Sequence, residues 1–187
     1  MEVILLGLGL LIVGLLIYLV LIYNSMVTLR NNRKQAFSDI DVQMKLRYDL
    51  VPNLVEVVKG YAKHEREIFE EIANVRARAM SAGSVNEKIE ADNSFSATLK
   101  TLFAVAENYP ELKANENFLK LQTELADIEN KIAAARRFFN NSTKEYNSVL
   151  MQFPNVLIAK AFNFAEEPFF GLLEEKEQAS KVVKVEV

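Results

Sequence analysis

His64 is the only histidine in a chain of 187 residues, and cysteine is absent. Those two facts decide most of the chemistry the sequence can offer. A thiolate nucleophile, a disulfide, an iron–sulfur cluster and a lipid-modified cysteine all require cysteine. A zinc site would rest on one imidazole plus carboxylates, whereas zinc prefers several nitrogen or sulfur ligands. His64-Glu65 opens a zinc-protease helix motif only if a second histidine follows four residues on, and position 68 is Ile. A carboxylate di-metal site in a helical bundle needs two Glu-x-x-His pairs, which one histidine cannot supply. Neither a Gly-rich phosphate loop nor a Gly-x-Ser-x-Gly elbow occurs. The carboxylate pairs Glu70-Glu71, Glu166-Glu167 and Glu174-Glu175 sit in charge-rich stretches and read as solvated faces. The expectation is a protein that is not an enzyme, with no cofactor and no metal.

The residues that stand out are polar ones set into apolar segments. Arg47, Asp49, Asn53 and Glu56 lie within about two and a half turns of one another if helical. Glu129, Asn130, Arg136 and Asn140 are spaced similarly further on. Buried polar groups are costly when unpaired and specifying when paired, so the two sets predict an inter-helix network that fixes register. The rival expectation is independent, exposed side chains. Arg30, Arg33 and Lys34 follow the first apolar run and read as membrane-proximal charges facing anionic headgroups. Basic residues elsewhere are interleaved with acidic ones, and the net charge is −3, so nucleic acid is not an expected partner. Seven of the 12 Phe fall in residues 138–170. Either that segment folds back to close the core, or Phe162, Phe164, Phe169 and Phe170 form an exposed patch for self-association or a membrane surface.

The elements that position these residues follow from hydropathy and periodicity. Val3 to Tyr23 carries no charge and spans about 31 Å as a helix, enough to cross a bilayer core. No basic residue precedes the run and three follow it. The positive-inside rule then places the N-terminus outside and the remainder in the cytoplasm, as a single-pass protein of the cell membrane. Beyond the run, apolar residues recur every three to four positions, with only three Gly and four Pro to interrupt them. The pattern predicts an all-α fold: an N-terminal transmembrane helix continuing into an antiparallel bundle of four long helices. One helix should run from the membrane to about Val51 and another from Pro52, as a start or a kink, to about Met80. The third should cover about 87–107, and the fourth 116 to about 152 behind an Asn115 N-cap. The domain expectation is an anchor at 1–23, a bundle at 24–165 and a charged tail at 166–187. Sustained heptads also allow a coiled coil with a second copy.

A dense string of motifs resembles the LemA family. It includes Asp39-Ile40-Asp41-Val42-Gln43, the run from Arg47-Tyr48-Asp49 through Pro52-Asn53-Leu54-Val55, and Val58-Lys59-Gly60-Tyr61-Ala62 with His64-Glu65. It continues through Glu107-Asn108-Tyr109-Pro110, Glu129-Asn130, Ala135-Arg136-Arg137 and Tyr146-Asn147 to Pro154. The chain departs from the pattern at Phe139, where the family often has Tyr. It also lacks the Cys that some relatives carry at the end of the apolar run. The resemblance implies a membrane span followed by a long-helix bundle and supplies no reaction. The functional expectation is a non-enzymatic membrane scaffold that forms a homo-oligomer and has the lipid bilayer as partner. The alternative is an accessory subunit presenting its bundle to another membrane protein, such as a protease or a signalling partner.

Overall fold

The computed structural model describes residues 1–171. Six helices follow one another: α1 (Glu2–Tyr61), α2 (Arg66–Ser81), α3 (Val85–Ala106), α4 (Pro110–Lys113), α5 (Glu116–Met151) and α6 (Asn155–Ala161). No strand occurs among the described residues, so the all-α expectation holds. Most of the expected tail at 166–187, with Glu174-Glu175, lies outside those residues.

The burial pattern of α1 changes abruptly along its length. Every residue up to Leu21 is exposed. From Ile22 onward a seam of buried residues runs through Met26, Arg33, Ala36, Ile40, Met44, Arg47, Val51, Leu54 and Val58, at spacings of three or four once the half-buried Leu29 is included. That is the face a helix presents to a neighbour. Two arginines, Arg33 and Arg47, occupy seam positions among the apolar residues.

Pro52 neither starts nor ends a helix; it lies inside α1. A proline in a helix interior leaves the carbonyl four residues earlier without its usual donor. Here that carbonyl belongs to Tyr48, and Arg76 Nε of α2 donates to it at 2.6 Å. The chain reverses instead at residues 62–65, after the helix-weakening Gly60, where the apolar stripe is interrupted at Glu65.

Two other helix starts follow from capping chemistry. At α3, Ser84 Oγ accepts from the Glu87 N–H at 3.2 Å, while Glu87 Oε2 accepts from the N–H groups of Ser84 and Gly83. This is a capping box. At α5, Asn115 Oδ1 accepts from the Phe118 N–H at 3.0 Å, the cap its position predicts.

The chain divides into two compact units, one of Met1–Ser38 with the residues from Arg136 onward, the other Asp39–Ala135. The second combines the C-terminal part of α1 with α2, α3, α4 and the first half of α5. Phe95, Leu54, Leu102, Leu112 and Ile132 fill its core. In the first unit Ile22, Met26, Tyr146, Leu150, Ile158 and Ala159 form a core flanked by Leu29, Val149 and Phe164.

Candidate functional site

The chemistry-bearing side chains gather around the two seam arginines, one in each unit. Arg47 has no exposed side-chain surface, nor has Asp92 of α3, which its Nη2 binds. Arg47 Nη1 donates to Glu129 Oε1 of α5 at 2.6 Å and to Ser96 Oγ at 3.0 Å. The guanidinium also lies over the Phe95 ring at 5.2 Å from its centroid, and Tyr48 packs edge-on against the same ring. A buried charge is tolerable only when paired and hydrogen-bonded, and here α3 and α5 supply the acceptors for the two Nη groups. Each is placed by helical period: Asp92 and Ser96 are one turn apart on α3, and Arg47 is on the seam of α1.

Only part of the two predicted polar sets meets there. Arg47 and Glu129 do. Asp49 is exposed and pairs with Arg76 at 3.5 Å. Asn53 is exposed, and Glu56 is exposed and bonds Lys59 one turn away. Asn130 is exposed as well. Arg136 and Asn140 belong to the other unit, where Arg136 stacks on the Phe170 ring at 4.5 Å. Asp92 and Ser96 carried no motif of their own, although the stripe through Phe95, Leu99 and Leu102 extrapolates back to Asp92.

In the first unit Arg33 is buried, while its companions Arg30 and Lys34 are exposed. Its Nε donates to Thr143 Oγ1 at 3.1 Å, its Nη2 to the Pro168 carbonyl at 3.0 Å, and its Nη1 meets Glu167 at 3.1 Å. The guanidinium stacks over Phe139 at 4.7 Å. Arg33 thus faces protein rather than headgroups, because its seam position turns it toward α5. Burial lowers its pKa and the Glu167 carboxylate opposes that effect. An arginine remains protonated through such a shift. Burial likewise pushes the neighbouring Tyr146 phenol up.

The segment after α6 is held by side-chain amides acting as a surrogate strand. Asn147 Oδ1 accepts from the Glu167 N–H and its Nδ2 donates to the Glu167 carbonyl, both at 2.9 Å. Asn140 makes the same exchange with Phe170, at 2.8 and 3.1 Å. The match is geometric. Seven residues of helix and three of extended chain each advance about 10 Å. The Phe cluster is divided accordingly: Phe170 is buried, Phe164 and Phe169 are half-buried, and Phe162 is exposed.

His64 sits exposed in the α1–α2 turn. Among the described residues no three His, Asp or Glu side chains converge as for a metal ion. An open groove of about 400 Å³ lies beside Glu129 and Ser96, walled by Leu99, Phe103 and Leu125. Arg47 turns its donors inward, so the arrangement locks helices together and presents no guanidinium to a ligand.

These features define a class: a helical-bundle protein whose first helix begins with a fully exposed apolar run, the one helix among the described residues long and apolar enough to cross a membrane. The chain belongs to the LemA family, whose family model matches residues 36–186. It is similar to Magnetosome protein MamQ of Magnetospirillum gryphiswaldense, at 25% identity over 85% of this chain and 68% of the relative. It is also similar to Magnetosome protein MamQ 2 of Paramagnetospirillum magneticum, at 24% identity over the same shares. Protein LemA of Metamycoplasma hominis is 24% identical over 88% of this chain and 72% of its own length.

Proposed function

We propose that the protein is a non-enzymatic, single-pass membrane scaffold whose bundles self-associate. The observation that carries this reading is α1 itself. One unbroken helix bears an apolar run with none of its surface buried, then continues as the seam of a folded bundle. So large an exposed apolar surface needs lipid around it. The exposed Arg30 and Lys34 favour a cytoplasmic bundle and an outside N-terminus.

Two features support association. Val42 and Leu46, one turn apart, are exposed on the face of α1 turned away from its seam. Gly7 and Gly14 lie two turns apart in the run, and a Cβ added at either meets nothing within 4 Å. Helices approach closely at such positions in membranes. The magnetosome relatives are consistent with an organising role. Closed cyclic association would bring many spans into one membrane patch.

The accessory-subunit reading has the groove walled by Leu99, Phe103 and Leu125 in its favour, since a partner helix could lie there. Electron microscopy of the detergent-extracted chain separates the two. Uniform rings or cages support the scaffold. A monomer at micromolar concentration overturns self-association and leaves the accessory reading. Protease accessibility on intact cells checks orientation, with cleavage of the bundle only after permeabilisation expected.

A further inference from the structure

The inner face of α6 is filled and its outer face is apolar. Ile158 and Ala159 pack on Ile22, Met26, Tyr146 and Leu150. Leu157 on α6, Phe153 two residues before the helix and Phe162 at its C-terminal cap are 59%, 81% and 60% exposed. Lys160 is the single charge between Val149 and Ala165.

The helix is closed so that its aromatic end meets α1. Asn163 adopts a positive φ of 56°. The Phe164 N–H then reaches back to the Ala159 carbonyl and the Asn163 N–H to that of Lys160, the paired bonds of a Schellman cap. This turn sets Phe162 and Phe164 edge-on against Tyr23, with ring centroids 4.9 and 5.6 Å away. Tyr23 ends the apolar run, and Asn24 and Ser25 follow it.

The depth of α6 follows from that contact. A helical run of 21 residues matches a hydrocarbon core about 30 Å thick, which puts Tyr23 at its edge. The headgroup layer beyond, roughly 5–7 Å deep, takes up about the next four residues. Ile22 and Met26 bracket that layer, and both belong to the core that holds Ile158 and Ala159 of α6. We infer that Phe153, Leu157 and Phe162 insert into the headgroup–acyl boundary of the leaflet where the span ends, as a second lipid contact. Lys160 extends from the same face toward lipid phosphates. The occupant is lipid because the patch is continuous, through Tyr23, with the surface the span gives to the bilayer. The inference rests on the reading that Val3–Tyr23 crosses the membrane.

The chain contains no Trp, so single-Trp variants report alone. Phe153→Trp and Leu157→Trp are made in the full chain and reconstituted into phosphatidylcholine–phosphatidylglycerol vesicles. Ile12→Trp reports on the span. Phe138→Trp, at an exposed position about 20 Å along α5 from Met151, reports on the aqueous side. All four variants are checked for an unchanged far-ultraviolet helical spectrum. Expected is a blue-shifted emission from Phe153→Trp and Leu157→Trp that is mostly lost with lipids brominated near the headgroup end of the chain. Phe138→Trp should be unaffected, and Ile12→Trp should be quenched by lipids brominated near the chain end. Quenching at 153 and 157 no greater than at 138, with Ile12→Trp quenched, overturns the lipid contact and leaves the span intact. Blue-shifted but unquenched emission there assigns the patch to protein and overturns it too. An unquenched Ile12→Trp overturns the spanning reading, and this inference with it.

Discussion

At the scale of the residue, the buried pair of Arg47 and Asp92 dominates the Asp39–Ala135 unit. Removing one partner leaves an uncompensated charge, so Asp92→Ala should cost about 3–5 kcal/mol in chemical denaturation. Replacing both, as Arg47→Met with Asp92→Leu, removes the desolvation penalty as well and should restore most of that loss. Equal destabilisation in the single and double variants would contradict this account. Glu87 yields a pH prediction. Backbone hydrogen bonds from Ser84 and Gly83, then the Ser84 hydroxyl, hold its carboxyl below the usual range. Its contribution to the α3 N-terminus is therefore complete above the ordinary glutamate value of about 4.3 and is lost as pH falls through the lower folded value. The amide resonances of Ser84 and Glu87 should titrate together with a midpoint below that of a free glutamate, and Glu87→Gln should abolish the titration. Arg47 was legible in the sequence because a charge interrupted an apolar stripe. Asp92 was legible only by extending the α3 stripe one step past Phe95. The partners of Asn140 and Asn147, and the Pro168 carbonyl that Arg33 binds, were not, since a backbone group carries no residue signature.

At the scale of the element, the continuity of α1 through Pro52 depends on a second helix. The Tyr48 carbonyl that proline strips of its donor is satisfied by Arg76. Arg76→Met should cost about 1–3 kcal/mol, the penalty for leaving a buried acceptor unmade. Pro52→Ala restores the helical donor, so Arg76→Met should cost distinctly less in that background. A double-mutant cycle by urea denaturation measures the coupling, and simple additivity would show the two sites to be independent. Periodicity identified the four long helices and most of their buried faces. It placed a boundary at Pro52 because proline's rule is local, while its remedy comes from a residue 24 positions away. Thr143 is buried on α5, where its hydroxyl accepts the hydrogen bond from Arg33 that an apolar residue could not.

At the scale of the whole molecule, both cores begin at or after Ile22, and nothing before it is buried. Deleting Val3–Leu21 should therefore shift the protein from the membrane to the soluble fraction while retaining a helical spectrum and a cooperative thermal melt. Fractionation and circular dichroism check this, and loss of the cooperative melt would show that the apolar run supports the fold directly. The unbroken helix has one more effect. Arg33 is gripped by Thr143, Glu167 and Pro168, and no hinge separates it from the exposed apolar run. The apolar run is thus not free to spin about its own axis, and its azimuth is keyed by the contacts of one buried arginine. The side bearing Gly7 and Gly14 always points the same way, so neighbouring copies would meet in one rotational setting.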